Sequence, residues 1–356
     1  MKRTFHIAQI VNQRGTMGMY AVVVIGAFLS IAAFAIDIGY AIVTKQELRN
    51  VADSAALAGT RALGQLYEGL SLGDQLSFVL TSDQEAIIQA AIADIALKNS
   101  AGGLSIVVPS TDVQIGNWDG TTFTSTAAQP AAVRVTVRRD GGANGPISTT
   151  FAKVFGVTSL ELRANATAAL LPIASVPPGQ VDVPVGISKE FFETHGCGDT
   201  IKFHPTGTLD GCAGWHTFEN QPANAATLND ILKKLKTGQF TSPEVIAGQT
   251  QFEYIGGDAA SAFTNMQKLY DFKKDASGNW ETFLVVYDRS DCNNPTGSLT
   301  VVGFAKATVY AVSGAPNNEI LARIECGAIQ QGRPGSNAGN GGAGFGTLSS
   351  VPGLVS

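Results

Sequence analysis

Twenty consecutive residues, Met17 to Ile36, carry no charged side chain and no Asn, Gln or His. As a helix they measure ~30 Å at 1.5 Å per residue, the thickness of a bilayer's hydrocarbon core. The pattern predicts a transmembrane helix over 17–36, since a core helix of a soluble domain rarely carries apolar residues on every face. Lys2, Arg3 and Arg14 precede the run without an acidic residue, whereas the stretch beyond it mixes Asp37, Lys45, Glu47, Arg49 and Asp53. That asymmetry predicts a cytoplasmic stub (1–16) and a body beyond the membrane. Ala33-Phe34-Ala35 also has the small-x-small form that a signal peptidase accepts, so release after Ala35 is the alternative. The run exceeds the usual signal core of roughly 7–15 residues, which favours an uncleaved anchor.

Past the apolar run the period stays helical. Leu48, Ala52, Ala55, Gly59, Ala62 and Leu66 recur at steps of four and three, predicting an extended Ala-rich helix over 37–69. Small residues on such a seam let a neighbour approach closely, either a helix of another subunit or the chain's own globular part. Gly26 and Ser30 repeat the small-x₃-small step inside the span. Ser82-Asp83-Gln84-Glu85 has capping-box form ahead of Ile87, Ile88, Ala91, Ile92 and Ile95, predicting a second helix.

Strands follow. Leu104–Val108, Val113–Trp118, Thr121–Thr126 and Ala132–Arg138 are short and rich in β-branched residues, with Asp119-Gly120 as a type I′ turn. Ile147–Phe155 reads as a short helix ended by Gly156, and Ser159–Leu171 as a strand. Pro172, Pro177, Pro178 and Pro184 then mark a boundary. Beyond it, Thr282–Tyr287, Leu299–Val312 and Glu319–Glu325 read as strands and Ala226–Leu235 as a helix. Gly314 to Asn318 turns the last two strands into a hairpin. The expected fold class is α+β: an anchored helix, a small α+β domain (70–171), a β-rich domain (172–330) and a Gly-rich flexible tail (331–356). Within that tail, Val351–Val355 is a candidate edge strand.

Charge alters the picture little. Net charge is −5 and only 15% of residues are charged, so no electrostatic footprint for nucleic acid exists. The four cysteines, Cys197, Cys212, Cys292 and Cys326, are an even number, which reads as disulfides outside the cytoplasm. Three pairings are possible, and proximity favours Cys197–Cys212 and Cys292–Cys326.

Asp37-Ile38-Gly39-Tyr40 and the run from Gln46 to Gly59 (QELRNVADSAALAG) resemble the N-terminal region of TadG-like proteins. Those are envelope proteins of the tight-adherence (Tad, or Flp) pilus machinery of bacteria. The likeness begins at Arg14-Gly15 and continues more loosely through Ala132-Val133-Arg134-Val135 and Phe151-Ala152-Lys153-Val154-Phe155-Gly156 to 164–170. It implies an inner-membrane component of pilus assembly with its body in the periplasm, and other Tad proteins or pseudopilins as partners. Longer relatives carry a von Willebrand factor A domain with an Asp-x-Ser-x-Ser metal site. Here Asp288-Arg289-Ser290-Asp291-Cys292 lacks the second Ser, and only 64 residues follow Cys292. Pseudopilin processing after Gly15 would need a Glu-Tyr pair at positions five and six. Tyr20 stands at the fifth place and no Glu follows.

The chemistry the sequence offers is thin. His195, Cys197, Cys212 and His216 are the donor types of a tetrahedral zinc site, which makes an anchored metal-dependent enzyme the alternative function. In an oxidising compartment those thiols form disulfides instead. His204 lies nearby, and neither it nor His6 sits in a nucleophile motif. Gly141-Gly142-Ala143-Asn144-Gly145 lacks the Lys-Ser/Thr ending of a phosphate loop. The expectation is no catalytic residue, no cofactor and no metal. Asp37, at the outer end of the span, is costly in lipid, so it either faces the interface or pairs with a cation on a neighbouring helix.

Overall fold

The computed structural model describes residues 14–203, 212–219, 223–256, 259–335 and 344–355, with side chains from residue 17 onward in the first helix. Residues 1–13 of the expected stub with His6, His204, and 336–343 of the expected tail lie outside the described residues.

The apolar run and the small-residue seam form one helix, α1 (Arg14–Tyr67), 54 residues long. At 1.5 Å per residue it measures ~80 Å, too long for a membrane alone. Its first part is bare: Met17, Tyr20, Val22, Phe28, Leu29 and Ile31 are all about two-thirds exposed or more. Its second part is core: Leu48, Ala52, Ala55, Ala56 and Leu63 are fully buried.

Two helices follow, α2 (Leu72–Leu76) and α3 (Ser82–Leu97). The capping box of α3 lies one residue earlier than expected: Thr81 is the N-cap and Gln84 the reciprocal partner. Strands β1 (Ser100–Ala101) and β2 (Leu104–Ser105) pair across Gly102-Gly103, so the expected 104–108 strand is the short arm of a hairpin. Both glycines have positive φ, as a two-residue hairpin turn requires.

Next come β3 (Val113–Trp118), β4 (Phe123–Ser125) and β5 (Ala132–Arg139). The β3–β4 turn is not type I′: Gly120 alone in it has positive φ, and the Asp119 carboxylate accepts the amides of Thr121 and Thr122. The side chain bonds its own loop, an Asx turn in a four-residue connection. Where a helix was expected over 147–155, the chain forms β6 (Ile147–Ser148) and a 3₁₀ turn, Ala152–Phe155, closed by Gly156 at φ 87°. β7 (Ser159–Leu160) pairs with β6.

β8 (Leu162–Val176) does not stop before Pro172 but runs through it. Proline lacks a donor for the ladder, and Pro172 lies where the neighbouring strand shifts register. The second half holds β9 (Val185–Ser188), α4 (Lys189–Thr194), β10 (Thr200–Phe203), β11 (Ala213–Trp215), α5 (Ala225–Thr237), β12 (Val245–Ile246) and β13 (Gln251–Tyr254). Then come α6 (Ala260–Lys273), β14 (Trp280–Tyr287), β15 (Gly297–Ser313) and β16 (Glu319–Ile324). α6 has no counterpart among the expected elements, although Ala262, Phe263, Met266, Leu269 and Tyr270 recur at helical spacing and all are buried. The chain closes with β17 (Ala328–Gln330), β18 (Arg333–Pro334) and β19 (Thr347–Leu354).

One sheet runs β17-β19-β8-β5-β3-β4, with β12 and β18 on the end of β8. α1 and α3 lie on one face of it. Val133, Val135 and Val137 of β5 alternate toward the helices and Gly59 packs on Ile92 and Val133, so the Ala-rich seam is buried against the chain's own sheet and α3. The second sheet runs β10-β16-β15-β14-β9-β11, with β13 on β15. α5 and α6 cover one face; Phe283, Val285 and Phe304 on the other meet Ile173 and Val176 from the end of β8. The α+β class with a lone apolar helix ahead of β-rich structure is as expected. The tail is not: β19 enters the first sheet between β17 and β8, an interior strand where at most an edge strand was expected.

The disulfides are Cys197–Cys326 and Cys212–Cys292, not the sequence-adjacent pairs. Strand register explains this. β10 and β16 run antiparallel with Thr200 opposite Arg323, so three residues further out Cys197 falls opposite Cys326. Cys212 precedes β11 and its carbonyl accepts the Ser188 amide at 2.7 Å, while Ser188 in turn bonds the Arg289 and Asp291 carbonyls beside Cys292.

Candidate functional site: the junction where the long helix leaves its apolar run

The Asp37 side chain is buried and turned inward. Its carboxylate accepts three consecutive amides, Thr150 at 2.8 Å, Phe151 at 2.9 Å and Ala152 at 2.7 Å. The donors lead into the 3₁₀ turn, where unpaired N–H groups converge and an anion fits. Asp37 is thus neither at a solvated boundary nor aimed at a partner's cation. One turn earlier, the Phe34 ring stacks on Phe155 at 5.0 Å between centroids.

A second clamp lies on the β1–β2 turn. The Tyr40 hydroxyl donates to the Gly102 carbonyl at 3.0 Å, and the Gly102 amide donates to Glu47 at 2.7 Å. Arg139 Nη1 donates to the Ala101 carbonyl at 2.6 Å and its Nε to Gly145 at 2.9 Å. Gly102 is required: φ is +59°, and an added Cβ would meet Arg139, Thr44 and Tyr40 at 2.9–3.1 Å. Beside α1 a groove of about 420 Å³ is lined by Ile42, Lys45, Gln46, Arg49, Arg163 and Asn165.

Further along α1, Leu48, Ala52, Ala55, Gly59 and Ala62 belong to the first core, and Gly64 receives the Ser350 backbone of β19. Arg61 ties this crossing, bonding Glu68 at 2.6 Å and the Ser350 carbonyl at 2.9 Å, while the Ser350 hydroxyl donates to Glu68 at 2.7 Å. Sequence reasoning found the seam and Asp37 but missed the partners outside α1, which come from as far as 289 residues away and leave no local periodicity.

The zinc set does not assemble. Cys197 and Cys212 lie in different disulfides, His195 is exposed against Phe191, and His216 is fully buried. The His216 ring stacks on Phe252 at 4.7 Å and its Nδ1 accepts the Phe218 amide at 3.2 Å. Burial pushes its pKa down to about 3, against a weaker upward pull from the Val185 backbone. Asp288 pairs with Lys189 and Arg289 with Asp291. No group of three or more His, Cys, Asp or Glu is placed to hold a metal among the described residues.

Fold and junction together define a class: a helix-mounted α+β protein whose one long apolar helix is sufficient in length and composition to cross a membrane. Residues 15–62 match the family model for putative Flp pilus-assembly TadE/G-like proteins, and residues 71–168 the one for putative Tad-like Flp pilus assembly. Over those two segments the chain is similar to the TadE/G-like proteins of Tad/Flp pilus assembly. No curated protein and no solved structure matches it. Both matched segments end within the first sheet domain.

Proposed function

We propose that the chain is a non-enzymatic, inner-membrane-anchored component of Tad/Flp pilus assembly, with its N-terminus in the cytoplasm and its body in the periplasm. The observation that carries this reading is the continuity of α1. The helix is unbroken from Arg14 to Tyr67, bare where lipid would cover it and core where the sheet covers it. Movement of the span is thereby transmitted to the body without a hinge. The unbroken helix at Ala33–Ala35 and the clamped Asp37 just after it argue against release by a signal peptidase, which cuts after a small-x-small site. The two disulfides fit an oxidising compartment.

Since the Ala-rich seam is occupied within the chain, contacts with other pilus-assembly proteins fall to outer surfaces, and the groove at Lys45, Arg49 and Arg163 suits an acidic segment. A photo-crosslinker at Gln46, in cells carrying the whole pilus system, is expected to capture another Tad component. Alkaline phosphatase fused after Ser356 is expected to be active. An inactive fusion, with the product recovered from the cytosol, would overturn the anchored periplasmic reading. Loss of surface fibres on gene deletion, restored by the wild-type gene, tests the role in assembly.

A further inference from the structure

The loop held by Asp37 carries more exposed apolar surface than its own packing explains. Val154 is 82% exposed, Phe155 62%, Val157 43% and Phe151 39%, with Lys153 exposed among them. Four large apolar side chains within seven residues are unusual for a solvated loop. The loop's position relative to α1 is fixed twice, by the Asp37 carboxylate on three of its amides and by the Phe34–Phe155 stack. Phe34 lies two residues inside the outer end of the apolar run, ~3 Å along the axis, so the stack brings Phe155 to the same level.

The exposed apolar surface of α1 also does not stop at Ile36. Ile38, Ile42 and Val43 are each more than half exposed, and Asp37, the only charge between Ile36 and Lys45, is satisfied by the loop. On the neighbouring clamp, Leu104 at 44% and Val107 at 56% add to the same end of the body.

We infer that the 151–157 loop is a second membrane contact: it lies in the interface of the bilayer that α1 spans, with Val154 and Phe155 among the acyl chains and Lys153 at the headgroups. This rests on the anchored reading above. Amphipathic helices bury a face carrying residues such as Phe and Leu ~5–10 Å into the headgroup–acyl boundary, with Lys on the polar side, and this loop has the same division. A single span leaves helix and body free to tilt together in the bilayer. A second contact beside the exit point fixes the angle at which the body stands on the membrane.

All four cysteines are in disulfides, so one introduced thiol is labelled alone. Full-length protein with Val154→Cys carrying an environment-sensitive fluorophore is reconstituted in phosphatidylcholine–phosphatidylglycerol vesicles. Leu29→Cys reports the span, and Tyr310→Cys reports the body. At 154 the expected result is a blue shift, loss of emission to nitroxide-labelled lipid, and little loss to aqueous iodide. Lipid quenching at 29 with iodide quenching at 154 would overturn the inference while leaving the anchor intact. A label at 154 hidden from both quenchers would overturn it in favour of a protein cover. No lipid quenching at 29 would instead bring down the anchored reading itself.

Discussion

Asp37 sits at the outer end of the apolar run, where a bare carboxylate is costly, yet three amides take up its oxygens. Asp37→Ala removes the acceptor and leaves those donors beside the apolar helix. Faster hydrogen exchange at Thr150, Phe151 and Ala152 is the expected outcome, with little change in the second sheet. Unchanged exchange there would mean the clamp is not closed in the protein.

His216 gives a pH dependence of definite sign. Unfolded, its imidazole titrates near ~6.5; folded, burial holds it at about 3. Between those values the unfolded chain binds a proton that the folded chain does not. The stability His216 contributes is therefore whole above ~6.5 and falls as the pH drops towards 3, by at most ~1.4 kcal/mol per pH unit. The denaturation midpoint of wild type is expected to fall relative to that of His216→Phe as the pH drops from 7 to roughly 4.

Among elements, β19 is where the sequence misled most. Its composition is unremarkable and a Gly-rich stretch precedes it, but it crosses α1 at Gly64 and is fastened by Arg61 and Glu68. In an exposed helix, Gly→Ala gains ~1 kcal/mol. Gly64→Ala is expected to destabilise instead, because the added Cβ meets the Ser350 backbone, which cannot rotate away. At Gly26, where nothing lies within 4 Å, the same change meets no obstacle. Thermal melting of Gly64→Ala decides the sign. β17 is held in a similar way: Gln75 exchanges two hydrogen bonds with the Ile329 backbone. Gln75→Leu leaves both groups unpaired in a buried place and is expected to cost about 1–3 kcal/mol in chemical denaturation.

At the scale of the molecule, the disulfides close loops with sequence separations of 129 and 80 residues, both within the second half. On the chain-entropy account each adds ~4–5 kcal/mol, more than the short loops that proximity favoured. Non-reducing peptide mapping is expected to recover 197 joined to 326 and 212 joined to 292, and a reductant to lower the melting temperature. The first sheet takes strands from both ends of the chain, and the end of β8 supplies Ile173 and Val176 to the core shared with the second sheet. A fragment ending at residue 176 lacks β12, β17, β18 and β19. It is expected to be insoluble or poorly dispersed by NMR, although the Pro-rich stretch after it looks like a natural place to cut.

The sequence by itself determined the apolar helix and its small-residue seam, the α3 helix, the strands 113–118 and 132–138, the even set of cysteines and the Tad/Flp likeness. These follow from periodicity and local composition, which need no knowledge of what lies across the fold. Tertiary structure alone decided what covers the seam, what satisfies Asp37, how the cysteines pair and where β19 goes. Each of those depends on strand order, which brings residues far apart in the chain together, and a single chain's local pattern carries no record of that order.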